Sequence, residues 1–111
     1  MAYSRAVVKG DWCFVSGTTG YDYATMTMPD DPCQQARNCF RTIFATLAEA
    51  GFNPADIVRV QYTLTEPALI DAIAPALVEA LGDIRPAATM VVAGLIRPEM
   101  KVEVEVTAMR A

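Results

Sequence analysis

The strongest candidates for chemistry lie in the last quarter of the chain. In residues 101–106 valines alternate with charged side chains, so a strand here would place Glu103 and Glu105 on one face. A carboxylate held near an electrophilic carbon can act as a general base that activates water. From the residues alone, a solvated strand residue is the preferred interpretation of Glu103, and a general base is the alternative. For Glu105, pairing with Arg59 or Lys101 is the preferred interpretation.

Side chains that build metal centres and activated nucleophiles are scarce. The 111 residues contain no histidine, and the three cysteines, Cys13, Cys33 and Cys39, have no CxxC spacing. A zinc site needs histidine or paired cysteine ligands, and Ser/His or Cys/His catalysis needs an imidazole. The sequence therefore predicts no metal site and excludes Ser/His or Cys/His nucleophilic catalysis within one type of chain.

Charge and composition limit the classes of partner that the protein is expected to bind. The formal net charge is −4 and no cluster of Lys and Arg occurs, which disfavours binding to nucleic acid or to an anionic membrane. The first residues lack the apolar core of a signal peptide, so a reducing cytoplasm is the expected compartment. With 53% hydrophobic and 20% charged residues, the chain is expected to fold as one domain over residues 1–111. Some apolar surface is expected to be buried between subunits.

Hydrophobic spacing predicts five strands and two helices in the order ββαβαββ. Gly10-Asp11 is a hairpin connection between the first two strands. The first helix opens at Asp30-Asp31-Pro32, where a carboxylate can cap it, and ends at Gly51. The second helix opens at Thr65-Glu66-Pro67 and ends at Gly82. The predicted strands are 5–9, 12–16, 58–65, 87–93 and 101–109.

Two features bear on how these elements pack. Pro75 lies inside the second helix, and we expect a kink or a restart because proline removes a backbone donor and clashes one turn back. Two helices can cover only one face of a single sheet. The other face, expected to meet water or another subunit, carries Arg59, Gln61, Glu103 and Glu105. Packing in the core or at an interface is the expected role of Trp12, Cys13 and Phe14.

Five segments, taken together in their order and spacing, resemble a known family. They are Phe14-Val15-Ser16-Gly17, Ala48-Glu49-Ala50-Gly51, Asp56-Ile57-Val58-Arg59-Val60, Pro86-Ala87-Ala88-Thr89 and Lys101-Val102-Glu103-Val104-Glu105. Each segment is short, but over nearly the whole chain they make it similar to the Rid family, the reactive intermediate deaminases or YjgF-like proteins.

The resemblance implies an α+β fold like that of bacterial chorismate mutase, with a mixed sheet and two helices on one face. Members of the family assemble as homotrimers and bind small molecules in clefts between subunits, without a cofactor. They hydrolyse 2-imino or enamine acids to keto acids and ammonia. By position, Glu103 matches the glutamate that positions the attacking water, so the resemblance makes Glu103 the candidate catalytic residue. Tyr3 and Ser16 match ligand contacts. Backbone amides around residues 89–91, which include the ligand-binding candidates Thr89 and Met90, would polarise the electrophile.

Two departures from the family pattern bear on the substrate. Ala88 stands where the family has the arginine that grips the substrate carboxylate, and the family's asparagine in the second helix falls near Ala74. Losing a bidentate guanidinium–carboxylate contact removes both charge and orientation. Either the substrate is not an ordinary 2-imino acid, or another cation replaces the clamp. Arg5 is the leading substitute cation because it lies two positions after Tyr3, on the same side of the first strand. Arg97 is the second choice. A surface or interface charge is nevertheless the preferred interpretation of Arg5.

Three functions remain on this basis. The first is a Rid-like hydrolase that acts on an imine, an enamine or a related small molecule, with Glu103 as the base. The second is a non-catalytic trimer that binds a small molecule in the same cleft. The third, an endoribonuclease or translation inhibitor, is disfavoured by the acidic charge and the absence of histidine.

Overall fold

The computed structural model describes residues 2–111, which form five strands and two α-helices in the predicted ββαβαββ order. A short 3-10 helix, Pro54–Asp56, precedes the third strand. The strands are β1 (Ala6–Lys9), β2 (Trp12–Thr19), β3 (Ile57–Leu64), β4 (Ala87–Val92) and β5 (Val102–Met109). The helices are α1 (Pro32–Glu49) and α2 (Leu69–Leu81).

The strands form one mixed sheet in the order β1-β2-β5-β3-β4. Only β3 and β4 run parallel, because α2 connects them as a crossover; the other neighbours are antiparallel. The chain's last strand, β5, therefore lies at the centre of the sheet, while β1 and β4 are its two edges. The expected α+β mixed sheet is confirmed.

The core lies between one face of the sheet and the two helices. Along β5 the buried side chains alternate with polar ones, as the sequence predicts. From α1, Cys39, Ile43 and Leu47 are fully buried, since they recur at three- and four-residue steps on one stripe. On α2, Ile73 is fully buried and Leu81 nearly so. Two helices thus cover one face of the sheet.

The ends of α1 follow from local chemistry. Asp31 is the N-cap, and its Oδ1 accepts a hydrogen bond of 3.1 Å from the backbone N–H of Cys33. Pro32 occupies the first turn, where its missing N–H costs nothing. At the other end Gly51 adopts a φ of 85°, the left-handed conformation that ends helices. The predicted boundaries of this helix are confirmed.

Two boundaries differ from the sequence prediction. β2 does not stop at Ser16 but continues to Thr19, because a β-bulge between Val15 and Thr18 absorbs an extra residue and breaks the alternation. α2 begins at Leu69 and runs without restarting at Pro75. Pro75 has no N–H to donate to the carbonyl one turn back. That carbonyl belongs to an exposed residue, so water can bind it instead.

The second face of the sheet, which we call the open face, is uncovered in this chain. Its centre is polar, as predicted, but its β2 side is apolar. Trp12 and Phe14 are 40% and 47% exposed and stack with ring centroids 6.3 Å apart. These two rings therefore do not pack in the core of this chain, whereas Cys13 does. Among residues 2–111, neither helix combines the length and apolar character needed to cross a membrane.

Candidate functional site

Glu103 lies on the open face of β5, where its strand neighbours are Thr19 of β2 and Thr63 of β3. The side chain is half-buried and its carboxylate lies against the backbone of Gly17. A Cβ added to Gly17 would lie 2.7 Å from Cδ of Glu103 and 2.9 Å from Oε1. The carboxylate therefore occupies space that only glycine leaves free at this position.

The β-bulge of β2 creates that space and is anchored from two sides. Ser16 donates a hydrogen bond of 2.6 Å from Oγ to the carbonyl of Ser4, and its N–H donates to the carbonyl of Arg5 at 2.9 Å. From the helix side, Cys39 Sγ donates to the carbonyl of Thr18 at 3.2 Å. The Ser16 hydroxyl thus ties the N-terminal segment to the bulge, beside the Glu103 carboxylate.

Two effects favour a proton on Glu103. Burial raises the pKa of this carboxyl, and the neighbouring charge of Glu105 raises it further. Neither Glu103 nor Glu105 makes a salt bridge with any residue in the described part of the chain. The two partners suggested for Glu105 bind elsewhere: Lys101 Nζ donates to the Asp30 carbonyl at 2.8 Å, and Arg59 donates to Gln61 Oε1 at 3.3 Å.

The N-terminal candidates lie at the β1 edge of the sheet. Tyr3 is 68% exposed just before β1. The Arg5 guanidinium lies 4.7 Å from the ring centroid of Tyr23. Since β1 and β4 are opposite edges of the sheet, Arg5 cannot reach the space beside Ala88 of the same chain.

The β4 candidates divide between the two faces. Thr89 lies opposite Gln61 on the open face, whereas the Met90 side chain packs against the core on the helix side. The N–H of Ala93 donates to the Leu64 carbonyl at 3.0 Å. Because N–H directions alternate along a strand, the amide of Thr89 also points at β3 and that of Met90 points away from the sheet. Of the backbone amides predicted to polarise an electrophile, the structure leaves that of Met90 available.

Ala88 faces the helix side of the sheet, where it borders a groove of about 400 Å³ between α2 and β4. Its partner in the register is Val60. The α2–β4 groove is lined by Val60, Tyr62, Leu77, Val78, Leu81, Gly82, Arg85, Pro86 and Ala88. Arg85, which the sequence reasoning missed, is the charged residue of this lining. The sequence places Arg85 directly before the Pro86-Ala87-Ala88 segment, but the direction of its side chain depends on the turn after α2.

One chain therefore brings together only part of the predicted site. Gly17, which follows Ser16 in the bulge, lies against the Glu103 carboxylate, but Ala88 lies across β3 from Glu103 and faces the opposite side of the sheet. Arg97 lies in the loop before β5, near the hydroxyl of Tyr21, and not at the groove. Within residues 2–111, no cluster of three His, Cys, Asp or Glu side chains is arranged to hold a metal ion.

Comparisons with known proteins agree with this architecture. The sequence model of the family described as endoribonuclease L-PSP matches residues 1–110. An uncharacterized protein of Streptomyces coelicolor is 33% identical over 109 residues, which cover 97% of this chain and 81% of that protein.

Two solved structures are also similar. Rv2704 of Mycobacterium tuberculosis, a member of the YjgF/YER057c/UK114 family, is 36% identical with a TM-score of 0.87, covering 97% of this chain and 86% of its own. RidA from an Antarctic Psychrobacter is 27% identical with a TM-score of 0.92, covering 99% of this chain and 89% of its own. The chain therefore belongs to the family described as endoribonuclease L-PSP, that is, the YjgF or Rid family.

Proposed function

We propose that the protein is a hydrolase of imines or enamines that works in small-molecule clefts between the subunits of a homotrimer. The observation that carries the proposal is the half-buried carboxylate of Glu103 against the Gly17 backbone. A carboxyl whose pKa is raised, with no cation paired to it in the described residues, is suited to accept and return a proton. Water supplies the nucleophile and no cofactor takes part.

The chemistry needs one proton acceptor and one polarising donor. Glu103 removes a proton from water as its oxygen attacks the imine carbon, and the nitrogen takes up a proton. The nitrogen of the resulting carbinolamine takes up a second proton, returned by Glu103, and leaves as ammonia when the C–N bond breaks. The hydroxyl proton passes to Glu103 as the carbonyl forms. Overall, the imine and one water become a ketone or keto acid and ammonia. An enamine enters the same path after a proton adds to its carbon.

Assembly from more than one chain is supported by the separation of the two halves of the site. Glu103 and Ala88 lie on opposite faces of the sheet, so a cleft using both must take them from different subunits. The exposed, stacked Trp12 and Phe14 provide apolar area for such an interface. Escherichia coli TdcF, which has this fold, holds bound serine, and so supports a ligand of amino-acid size.

The proposal is tested by measuring ammonia release from imines generated in place by an amino acid oxidase. We expect acceleration over buffer that Glu103→Gln abolishes and that the exposed control Glu66→Gln retains. Light scattering should give the mass of three chains for all of these proteins. Full activity in Glu103→Gln would remove the residue from the mechanism, and a monomer at working concentration would remove the intersubunit cleft.

A second function, a trimer that binds a small molecule without turning it over, is favoured by Ala88. The chain lacks at this position the arginine that would orient a substrate carboxylate. Absence of acceleration across a broad amino-acid panel, together with retained binding, would establish this alternative. In both cases the three buried, unpaired cysteines support a reducing compartment such as the cytoplasm. The net charge of −4 disfavours an RNA substrate.

A further inference from the structure

The charge around Glu103 is negative in the described part of the chain. Glu105 follows two positions later on the same face of β5, and neither acid makes a salt bridge within residues 2–111. Burial and the Glu105 charge raise the pKa of Glu103, with no cation of the described residues lowering it. An anionic group brought to this carboxylate would therefore be repelled, and a cationic group attracted.

Two basic side chains belong to the same part of the sheet but bind other groups. The Arg59 guanidinium donates to Gln61 Oε1 at 3.3 Å. Lys101 Nζ donates to the Asp30 carbonyl at 2.8 Å. Neither side chain pairs with the Glu103 carboxylate, so the nearby cations leave its charge uncompensated.

The direct neighbours of Glu103 are neutral. Its partners in the strand register are Thr19 and Thr63, and the bulge places Gly17 against the carboxylate. None of these three residues carries a charge. A half-buried carboxylate without a compensating cation has a desolvation cost, which a bound cation would offset.

The strand β4, which carries the other half of the proposed cleft, is also uncharged. Its residues, Ala87–Val92, include no acid and no base, and Ala88 stands where the Rid family has the arginine that binds a substrate carboxylate. Of the described residues that line the α2–β4 groove, only Arg85 is charged, and it is exposed in the turn before the strand. Exposed ion pairs contribute little to binding. Neither strand therefore offers strong attraction to a carboxylate.

We propose that this cleft takes imines that carry no carboxylate and binds them as iminium cations, with Glu103 as the counter-ion. The inference rests on the proposed function and names the substrate class of that site. Such imines form when a primary amine is oxidised, so an amine-oxidising reaction must supply the substrate. An imine made from an amino acid carries an anionic group, which the acids of β5 repel and no cation of β4 binds.

The reaction balances with water as the only co-reactant. Glu103 takes a proton from water as the water oxygen adds to the iminium carbon, which gives a neutral carbinolamine. The proton returns to the nitrogen, the C–N bond breaks, and ammonia leaves with the bonding electron pair. Glu103 accepts the hydroxyl proton as the carbonyl forms and passes it to ammonia. One iminium ion and one water thus give one aldehyde or ketone and one ammonium ion.

Three planar probes of nearly equal shape test the charge preference without turnover. Benzamidinium is a stable cation with the planar geometry of an iminium ion, benzamide is neutral, and benzoate is the anion. Calorimetric titration of the intact protein should give the lowest Kd for benzamidinium and the highest for benzoate. Because benzamidinium pairs with the ionised carboxylate, its affinity should rise with pH through the pKa of Glu103.

Glu103→Gln should weaken benzamidinium at least about tenfold, as for a lost hydrogen bond between charged groups, and should leave the Kd of benzamide unchanged. The matched control Glu66→Gln, at an exposed acid before α2, should keep all three affinities. Ala88→Arg should strengthen benzoate and weaken benzamidinium. Benzoate bound as tightly as benzamidinium, or bound in a way that Arg85→Asn abolishes, would overturn the proposal. So would the absence of benzamidinium binding, or an unchanged ranking in both Glu103→Gln and Ala88→Arg.

Turnover separates this inference from the proposed function. Treating 2-phenylethylamine with a flavin amine oxidase, and phenylalanine with an amino acid oxidase, gives two imines that differ by one carboxylate. We expect the acceleration of ammonia release to be at least about tenfold greater for the first, the same factor as for binding. Acceleration with the phenylalanine imine alone would remove the inference and keep the hydrolase. Acceleration with neither would remove the hydrolase, and benzamidinium binding that depends on Glu103 would then support a cation-binding cleft without turnover.

Discussion

The carboxylate of Glu103 rests against Gly17, with only 2.7 Å between Cδ and the place where a Cβ of residue 17 would be. Gly17 has no positive φ, so its backbone could accept another residue. Glycine is required at position 17 because the side chain of Glu103, on the central strand, occupies the space above the bulge. The bulge of β2 therefore sets where the only half-buried carboxylate on the open face of the described chain is held.

Gly17→Ala should separate activity from stability. The added methyl group meets the far end of a flexible side chain, so Glu103 can turn away and the free energy of unfolding should change by no more than about 1 kcal/mol. The turned carboxylate would no longer face its ligand. We therefore expect the rate of imine hydrolysis to fall at least about tenfold, which is less than the full rate acceleration that a positioned general base provides. Ammonia release and urea unfolding measure the two effects.

Gly94→Ala is the matched control, since a Cβ there meets nothing within 4 Å. It should leave both activity and stability near those of the unmodified protein. Full activity in Gly17→Ala would show that the packing of Glu103 against the bulge has no part in catalysis. A loss of several kcal/mol in stability would show that the contact is structural.

Replacing Glu105, the acidic neighbour of Glu103, should shift the pH dependence of the reaction. Glu103 must be ionised to act as a base, so the rate rises with pH through its pKa, which burial and Glu105 hold above the ordinary value for Glu. Glu105→Gln removes a like charge, lowers the pKa of Glu103, and should shift the acidic limb of kcat/KM to lower pH. A limb that stays in place, or moves upward, would contradict this coupling.

The same raised pKa has a consequence for stability. The folded protein holds a proton on Glu103 at pH values where the unfolded chain has released it. Stability therefore decreases as pH rises from the unfolded to the folded pKa of this group. In Glu105→Gln the folded pKa lies closer to the unfolded one, so this decrease should be smaller. Urea unfolding across the acidic range checks the sign.

The three cysteines should resist thiol reagents in the native protein. All are buried, and desolvation raises the pKa of Cys39 to about 12, with the Glu103 charge as a smaller contribution. Burial likewise raises the pKa of Cys13. We expect no fast reaction with a disulfide reagent under native conditions and all three thiols to react in denaturant. An added thiol at an exposed site, Ala45→Cys, should react at once and so report reagent access. Rapid native labelling of the unmodified chain would contradict the burial.

Most of the architecture is predictable because local patterns and packing agree. The stripe of α1 and the alternation of β5 each have one apolar side, and only one arrangement buries both. The bulge after Val15 was not predictable, since an extra residue breaks the alternation without leaving a periodic signal. The face on which Ala88 lies depends on its register with β3, which the crossover through α2 fixes. Hence Arg5 was a plausible substitute from the sequence, whereas the folded chain puts it at the far edge.

Replacing Gln35 tests the fold and the candidate site together. It is fully buried in α1, and its Nε2 donates to the carbonyls of Pro29 and Glu99 at 2.8 and 3.1 Å. Its Oε1 accepts from the N–H of Lys101 at 3.0 Å, two residues before Glu103. Gln35→Leu keeps the volume but leaves these three backbone groups unpaired. We expect a loss of about 2–4 kcal/mol in unfolding free energy.

A specific readout distinguishes this role from general core packing. The amide of Lys101 should lose protection from hydrogen exchange in Gln35→Leu, and imine hydrolysis should fall because the start of β5 is no longer fixed. The adjacent Gln34→Leu removes one half-buried bond, to Asn38, and should cost only about 1 kcal/mol without affecting the Lys101 amide. All variants must be compared at one protein concentration, since subunit association adds to apparent stability. If Gln35→Leu and Gln34→Leu lost equal unfolding free energy and the Lys101 amide stayed protected, Gln35 would only fill space and would not fix the start of β5, which leads to Glu103.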